Sequence, residues 1–321
     1  MNILFIRFSS LGDTVLVTGV LRAFVLKTSN KHTINILTFK EYTDIFEGAD
    51  FVNKIYTVPK AIPLGGYIEF LKSLPPFDIT VDLHCNLRSR LAGYFAAGKV
   101  LRYNKRPFAR RAFVKFRLCR KELSLHTVER YAAGFYPFFG LDVPNREELR
   151  PFIAKSAAAS LHKNGKKAII IHPFASKPTK EWCYFPKLTE VLMHSGFDVQ
   201  IIGKPSYDIS GAYPIPHTPT PEISDLIKII GKADLLVATD SGPMHIAIAL
   251  GVKVIAIFGS TSKELGFYPD FSGATVMEED LPCRPCHIHG AEKCRRGDFA
   301  CMQRITPDKV FDAVLKVLSG A

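Results

Sequence analysis

The stretch Ala233-Asp-Leu-Leu-Val-Ala-Thr-Asp240-Ser-Gly-Pro-Met-His245-Ile-Ala-Ile-Ala-Leu-Gly251 narrows the choice of folds more than any other part of this chain. Leu235 to Ala238 is a short apolar run of the kind a buried parallel strand needs, and Ile246 to Leu250 continues in helix formers to a stop at Gly251. The order is therefore strand, tight turn, helix. Ser241 suits the N-cap, and Pro243 falls in the first helical turn, where its missing N–H costs nothing. Gly242 lets a ligand approach the backbone. A helix N-terminus at the end of a parallel strand offers free N–H groups and the positive end of a dipole, a setting that favours phosphate. An ordinary capped helix gives the same pattern, so this stretch alone leaves both readings open.

The same unit recurs along the chain. Strands are expected at Ile3–Phe8, Thr33–Thr38, Val52–Val58, Asp78–Leu83 and Lys99–Tyr103, with helices from Asp13 to Lys27, carrying Leu16, Val20, Leu21 and Phe24 on one face, and from Leu87 to about Ala97. A basic helix follows, and His126–Phe139 forms another, closed by Gly140. Pro144 to Gly165 has weak periodicity and reads as a boundary. The alternation restarts with strands at Lys167–His172, Asp198–Ile202 and Val252–Phe258 and helices at Tyr184–Ser195 and Ile223–Ile230. Apolar strands in repeated βα units imply parallel sheets covered on both faces. Two Rossmann-like domains, 1–155 and 156–321, facing a central cleft are expected. Beyond Gly259 a loop-rich region precedes a terminal helix at Pro307–Leu318.

The 321 residues fit about two domains at the usual ~100–200 residues each. Met1-Asn-Ile-Leu-Phe-Ile-Arg7 lacks a basic leader and its apolar run is short, and nothing later approaches the ~18 apolar residues of a membrane span. A cytoplasmic location, with peripheral contact at the membrane face, is expected. Between Arg88 and Lys121 there are twelve Lys or Arg and no Asp or Glu, which equals the whole net charge of +12. Such a stretch suits an anionic partner: nucleic acid, a phosphorylated glycolipid or an acidic membrane surface. A solvated basic face would look the same, since Phe108, Phe113 and Phe116 also make it an amphipathic helix.

Three stretches together resemble the ADP-heptose:lipopolysaccharide heptosyltransferases, glycosyltransferase family 9: Arg7-Phe-Ser-Ser-Leu-Gly-Asp13, His172-Pro-Phe-Ala-Ser-Lys-Pro-Thr-Lys180-Glu-Trp182 and Thr239-Asp-Ser-Gly-Pro-Met-His245. Asp82-Leu-His-Cys-Asn-Leu-Arg88 and His126-Thr-Val-Glu-Arg130 extend the likeness in order over nearly the whole chain. The resemblance implies the α/β GT-B architecture, a donor held mainly by the C-terminal domain, and transfer of heptose with inversion and without a catalytic metal. It implies Asp13 as general base. Ser176 and Lys180 are implied at the donor diphosphate, and Asp240, Ser241, Gly242 and His245 in the loop that grips sugar and phosphates. An ammonium and helix N–H groups can stabilise a leaving diphosphate in place of a metal ion. Relatives often carry an acidic residue for the nucleotide ribose; Asp208 is the only candidate here. Gly19 stands where many relatives have proline. Arg88, Arg90, Arg102, Arg110 and Arg111 are the candidates for an anionic acceptor, a lipopolysaccharide core or a related surface glycan.

Cys283, Cys286, Cys294 and Cys301 give C-x2-C-x7-C-x6-C. A C-x2-C turn can place two thiolates on one metal and two more complete a tetrahedral site, which zinc and iron both accept. A structural role is expected. Two competing readings remain: a nucleic-acid-binding protein using the basic stretch and a four-cysteine knuckle, which leaves Asp13, Lys180 and Asp240 unexplained, and another sugar-nucleotide enzyme of the same fold, such as an epimerase.

Overall fold

A computed structural model of the chain describes residues 1–96, 98–154, 165–203 and 217–320. The chain divides into two α/β units, Met1–Lys105 with Thr127–Ala154, and Arg106–His126 with Lys155–Ala321. Residues 106–126 thus group with the second unit rather than with the first, as chain order had implied.

The first unit runs β1 (Asn2–Ile6), α1 (Leu11–Lys27), β2 (Thr33–Phe39), β3 (Lys54–Val58), α2 (Leu64–Lys72), β4 (Ile79–Asp82), α3 (Leu87–Phe95) and β5 (Lys99–Arg102). After α4 (Pro107–Phe116), which belongs to the second unit, α5 (Thr127–Ala133) completes it. The strands form one parallel sheet in the order β3-β2-β1-β4-β5. Successive side chains of a strand point to opposite faces. Leu4 and Ile6 accordingly pack with Tyr67, Leu71 and Ala92 on one face, while Phe5 meets Phe24 and Phe135 edge-on on the other. Helix α1 is buried nearly all round, not on the single face expected. The reason is the returning chain after α5: Tyr136 donates to the Val20 carbonyl, and the Phe152 N–H donates to Thr18.

The second unit contains β6 (Ala168–His172), α6 (Phe185–His194), β7 (Asp198–Gly203), β8 (His217–Pro219), α7 (Ile223–Ile230), β9 (Leu235–Thr239), α8 (Gly242–Ala249), β10 (Lys253–Phe258), β11 (Ala274–Glu278), α9 (Ala300–Gln303) and α10 (Pro307–Ser319). Its six strands are parallel in the order β11-β10-β9-β6-β7-β8. Ile169, Ile171, Val237 and Ile257 pack with Phe185 and Leu188 of α6 and with Val310 and Val314 of α10. Trp182 sits in this core and donates its indole N–H to the Ile305 carbonyl. Strand β11 lies in the region expected to be loop. Its half-exposed edge position leaves no continuous apolar run to betray it.

Both sheets reverse direction of growth once, between β1 and β4 in the first and between β6 and β9 in the second. Open α/β sheets hold ligands beyond the carboxyl ends of the strands at such a reversal.

Candidate active site

At the β1/β4 reversal, Asp13 is the third residue of α1, whose N-cap is Ser10 and not Asp13. Its carboxylate is crowded with donors. Arg7 lies at 2.7 Å, Tyr131 donates at 2.7 Å and the Ser10 hydroxyl at 2.8 Å. Burial alone would push the Asp13 carboxyl up, but the Arg7 charge, then Tyr131 and Ser10, outweigh it and hold it below the ordinary range. The group is therefore a carboxylate at neutral pH, and a weak base while Arg7 holds it. Arg7 is fixed in turn by donating to the Leu83 carbonyl at 2.5 Å, and its guanidinium lies over the Tyr131 ring.

The chain after β4 closes this site from the other side. Asp82 is fully buried and accepts from the backbone of His84 and Cys85 and from the Ser89 hydroxyl. Asn86 and Ser89 cap α3 reciprocally. The Asp82–Arg88 motif is thus a wound turn that presents His84. Burial, then Arg7 and Lys105, lower the His84 imidazole to about 4, so it is neutral. Lys105 is itself lowered by burial and by Arg7, and burial raises Tyr103 to about 12. Tyr131, Tyr103, His84 and Lys105 are site neighbours the sequence did not single out. The only signal was position: each lies in or beside a motif or at a strand end.

At the β6/β9 reversal of the second unit, Lys180 ends the turn Pro178–Lys180 and Asp240 follows β9. Lys180 Nζ is 3.0 Å from Asp240 Oδ2, and Thr261 donates to the same oxygen at 2.7 Å. Both charged side chains are about nine-tenths buried. Ser241 stands at the N-cap position of α8, its hydroxyl 3.4 Å from His172 Nδ1 and donating to the Thr239 carbonyl, with Gly242 and Pro243 opening the helix and His245 buried within it. Ser176 is exposed on the loop after β6. Lys180, Asp240, Ser241, Gly242 and His245 are therefore gathered at one strand end beside a helix N-terminus. Asp208 lies outside the described residues.

The Lys180 turn is stapled to the cysteine loop. Thr179 donates to Ser260 and accepts from the Ala291 N–H. Gly290 packs on the Lys180 stem so closely that a Cβ there would lie 2.9 Å from its Cγ and Cδ.

Other expectations change. The five acceptor candidates do not share a unit: Arg88, Arg90 and Arg102 fall in the first, Arg110 and Arg111 in the second. Arg110 donates to the Leu265 carbonyl at 2.6 Å and lies over Phe267, so its charge is spent inside the second unit. Arg117 and Arg120 are likewise engaged, with Pro285 and Glu264. Arg88 donates to the Lys60 carbonyl and Arg102 approaches Asp82 at 3.6 Å, whereas Arg90 and Arg111 are exposed. A uniformly solvated basic stretch, as nucleic-acid binding would use, is not what the fold presents.

Among the described residues, no three His, Cys, Asp or Glu side chains converge closely enough to hold a metal ion. The four thiols come from three pieces of chain. Cys283 and Cys286 flank Arg284, which donates to the Gly259 and Thr261 carbonyls, while Cys294 is on another turn and Cys301 in α9. They are still neighbours: burial, then Cys286, Cys294 and Cys283 against the opposing pull of Arg284, push the Cys301 thiol up to about 11.

Residues 74–290 match the family described as glycosyltransferase family 9 (heptosyltransferase). The chain belongs to this family. It is 30% identical over 181 residues to a lipooligosaccharide heptosyltransferase 2 of Campylobacter jejuni; the match covers 52% of this chain and 56% of that one, so the chain spans little more than half the length of this curated relative. The fold is that of a family 9 glycosyl transferase from Veillonella parvula, at TM-score 0.80 and 16% identity, covering 100% of this chain and 98% of that chain. It is also that of TibC from enterotoxigenic E. coli, described as a dodecameric iron-containing heptosyltransferase in complex with ADP-D-beta-D-heptose, at TM-score 0.63 and 13% identity, covering 99% and 76%. Among the described residues no helix is long and apolar enough to cross a membrane.

Proposed function

We propose that this family 9 protein is an inverting glycosyltransferase that moves heptose from ADP-heptose to an anionic glycan acceptor of the lipopolysaccharide core type. The observation that carries the reading is the Lys180–Asp240 pair at the mouth of α8. A diphosphate entering there meets an ammonium and free helix N–H groups, which can take the charge that develops on the leaving phosphate. Asp240, freed from Lys180 by the incoming anion, is left to accept from sugar hydroxyls. In the first unit, Asp13 takes the proton of the attacking acceptor hydroxyl. One displacement opposite the leaving ADP inverts the anomeric carbon without a covalent intermediate. Arg90 and Arg111, both exposed, are the best placed of the basic candidates to meet the acceptor.

The test is a panel of nucleotide sugars, with ADP release and the anomeric configuration of the product followed by NMR. Turnover of ADP-heptose with inversion supports the reading; binding of nucleic acid with no nucleotide sugar bound overturns it.

The chemistry of four neighbouring thiols also supports a structural zinc or iron in the cysteine loop, held by Cys283, Cys286, Cys294 and Cys301 once their protons leave. Elemental analysis of anaerobically purified protein tests this, with about one equivalent expected for a single tetrahedral site.

A further inference from the structure

The carboxylate that is to act as general base is tied up in its own unit. Asp13 holds the Arg7 guanidinium at 2.7 Å and accepts from Tyr131 at 2.7 Å and from Ser10 at 2.8 Å. A carboxylate so fully satisfied has little affinity left for the proton of an attacking hydroxyl. The charges around it show what could loosen it. In the first unit three cations, Arg7, Arg102 and Lys105, stand against two carboxylates, Asp13 and Asp82. Asp82 is spent on the turn after β4 and on Arg102. Lys105 is half-buried and donates at 3.4 Å to the Cys85 carbonyl, and among the described residues no carboxylate pairs with it. Arg7 is 5% exposed, and its Nε is buried with no hydrogen-bond partner among the described residues. A half-buried excess of positive charge, with a spare donor on the guanidinium that restrains the base, suits an anion.

We propose that Arg7 is a latch on Asp13 that the acceptor itself opens: an anionic group beside the attacking hydroxyl, carboxylate or phosphate, lodges at Lys105 and Arg7 and takes the guanidinium from Asp13. Tyr131 and Ser10 keep the carboxylate in place while its proton affinity rises. The inference rests on the reading of Asp13 as base. An uncharged acceptor leaves the latch closed, so acceptor charge is read in turnover and not in affinity alone.

The test is an NMR titration of the full chain with sulfate, a tetrahedral anion whose charge stays constant over the pH range, against chloride at equal ionic strength. The Cγ signal of Asp13 is assigned by its loss in Arg7→Met/Asp13→Asn. The other titratable groups facing Asp13 are Tyr42, Tyr103 and Tyr131, all pushed up by burial and protonated, and His84, which burial lowers to about 4. Reading the carboxyl carbon itself separates Asp13 from His84. Sulfate should raise the Asp13 midpoint by about one pH unit or more, since a neighbouring cation depresses a carboxylate by that much. The Arg7 Nε–H signal should shift with the same dependence on sulfate. Lys105→Met removes a half-buried cation with no carboxylate partner, so the fold should survive, and about tenfold more sulfate should be needed. Lys105→Arg should restore the response. A midpoint that sulfate moves no more than chloride does overturns the proposal. So does a midpoint that rises while the Arg7 signal stays still, which is repulsion without a latch, or a response that Lys105→Met leaves intact. No donor is present in this titration, so failure to turn over ADP-heptose strikes the transferase reading separately.

Discussion

Arg7 Nη2 lies 2.7 Å from Asp13 Oδ2 in a pair that leaves the guanidinium 6% and the carboxylate 14% exposed. Neutralising Asp13 therefore does more than remove a base. Asp13→Asn leaves Arg7 buried without its counter-charge, at a cost of about 3–5 kcal/mol, and loss of a general base should lower turnover by roughly 10²–10⁴. The two effects separate in Arg7→Met/Asp13→Asn, in which no lone charge is buried. Thermal unfolding should show stability largely recovered in the double variant, with transfer still absent. Turnover above about a tenth of wild type in Asp13→Asn would assign the base elsewhere.

The donors around Asp13 also set a pH signature. Its folded pKa is depressed, so the stability it contributes is present above the unfolded value of about 3.9 and lost as pH falls through the folded one. His84, held near 4 by burial and by Arg7 and Lys105, is already neutral above that range. The profile of kcat/KM should thus be flat from neutrality down to about pH 5. Tyr131→Phe removes one of the donors that depress the Asp13 pKa and should move the acid limb upward. An acid limb near neutrality in the wild type would mean that a different group is titrating.

Lys180 and Asp240 pose the same problem in the second unit. Each is the other's counter-charge, so Lys180→Ala and Asp240→Ala should both unfold at lower temperature as well as raise donor KM. Lys180→Met/Asp240→Leu should regain stability without regaining donor affinity. Calorimetric titration with ADP-heptose checks this, and wild-type affinity in the double variant would remove both residues from the donor site.

Sequence made the strands of the two sheets legible because a buried parallel strand is an uninterrupted apolar run, as in Ile169–Ile171 or Leu235–Val237. It also made Lys180 and Asp240 legible, since each sits in a motif directly after such a strand. What it could not show was convergence. Tyr131 reaches Asp13 across 118 residues and Arg110 spends its charge on a carbonyl 155 residues away, and neither contact leaves a local trace. The start of α1, expected at Asp13 and found at Leu11, has a local cause: Ser10 and Asp13 form a reciprocal pair in which either residue can mark the first turn.

Gly19 shows why α1 is buried all round. An ideal Cβ there would lie 2.3 Å from the carbonyl oxygens of both Leu149 and Arg150, backbone that cannot step aside alone. Gly19→Ala should destabilise the first unit by about 1–3 kcal/mol or more by overpacking. Donor binding in the second unit should persist wherever the protein remains folded. Unchanged thermal stability would show that residues 149–150 do not pack on α1 as described.

Gly290 carries the last expectation, because it joins the cysteine loop to the proposed donor site. With φ at +86° and a Cβ position 2.9 Å from Lys180 Cγ and Cδ, alanine there is strained and must push the lysine stem aside. Lys177 Cβ lies at the same 2.9 Å, so the backbone of the turn must shift along with the lysine stem, and the cost should reach about 1–3 kcal/mol or more. What changes is the reach of Lys180, and donor KM should rise while the acid limb set by Asp13 in the other unit stays put. The Thr179 bonds to Ser260 and Ala291 hold the same junction, and Cys286 donates its N–H to the Ser260 carbonyl. If a metal gathers the four thiols, its removal should loosen this junction and reproduce the Gly290→Ala phenotype, as should Cys283→Ser. Donor KM measured before and after chelation decides the coupling. A metal that leaves with no change in donor KM would mean that Gly290 and Thr179 hold Lys180 without help from the cysteines.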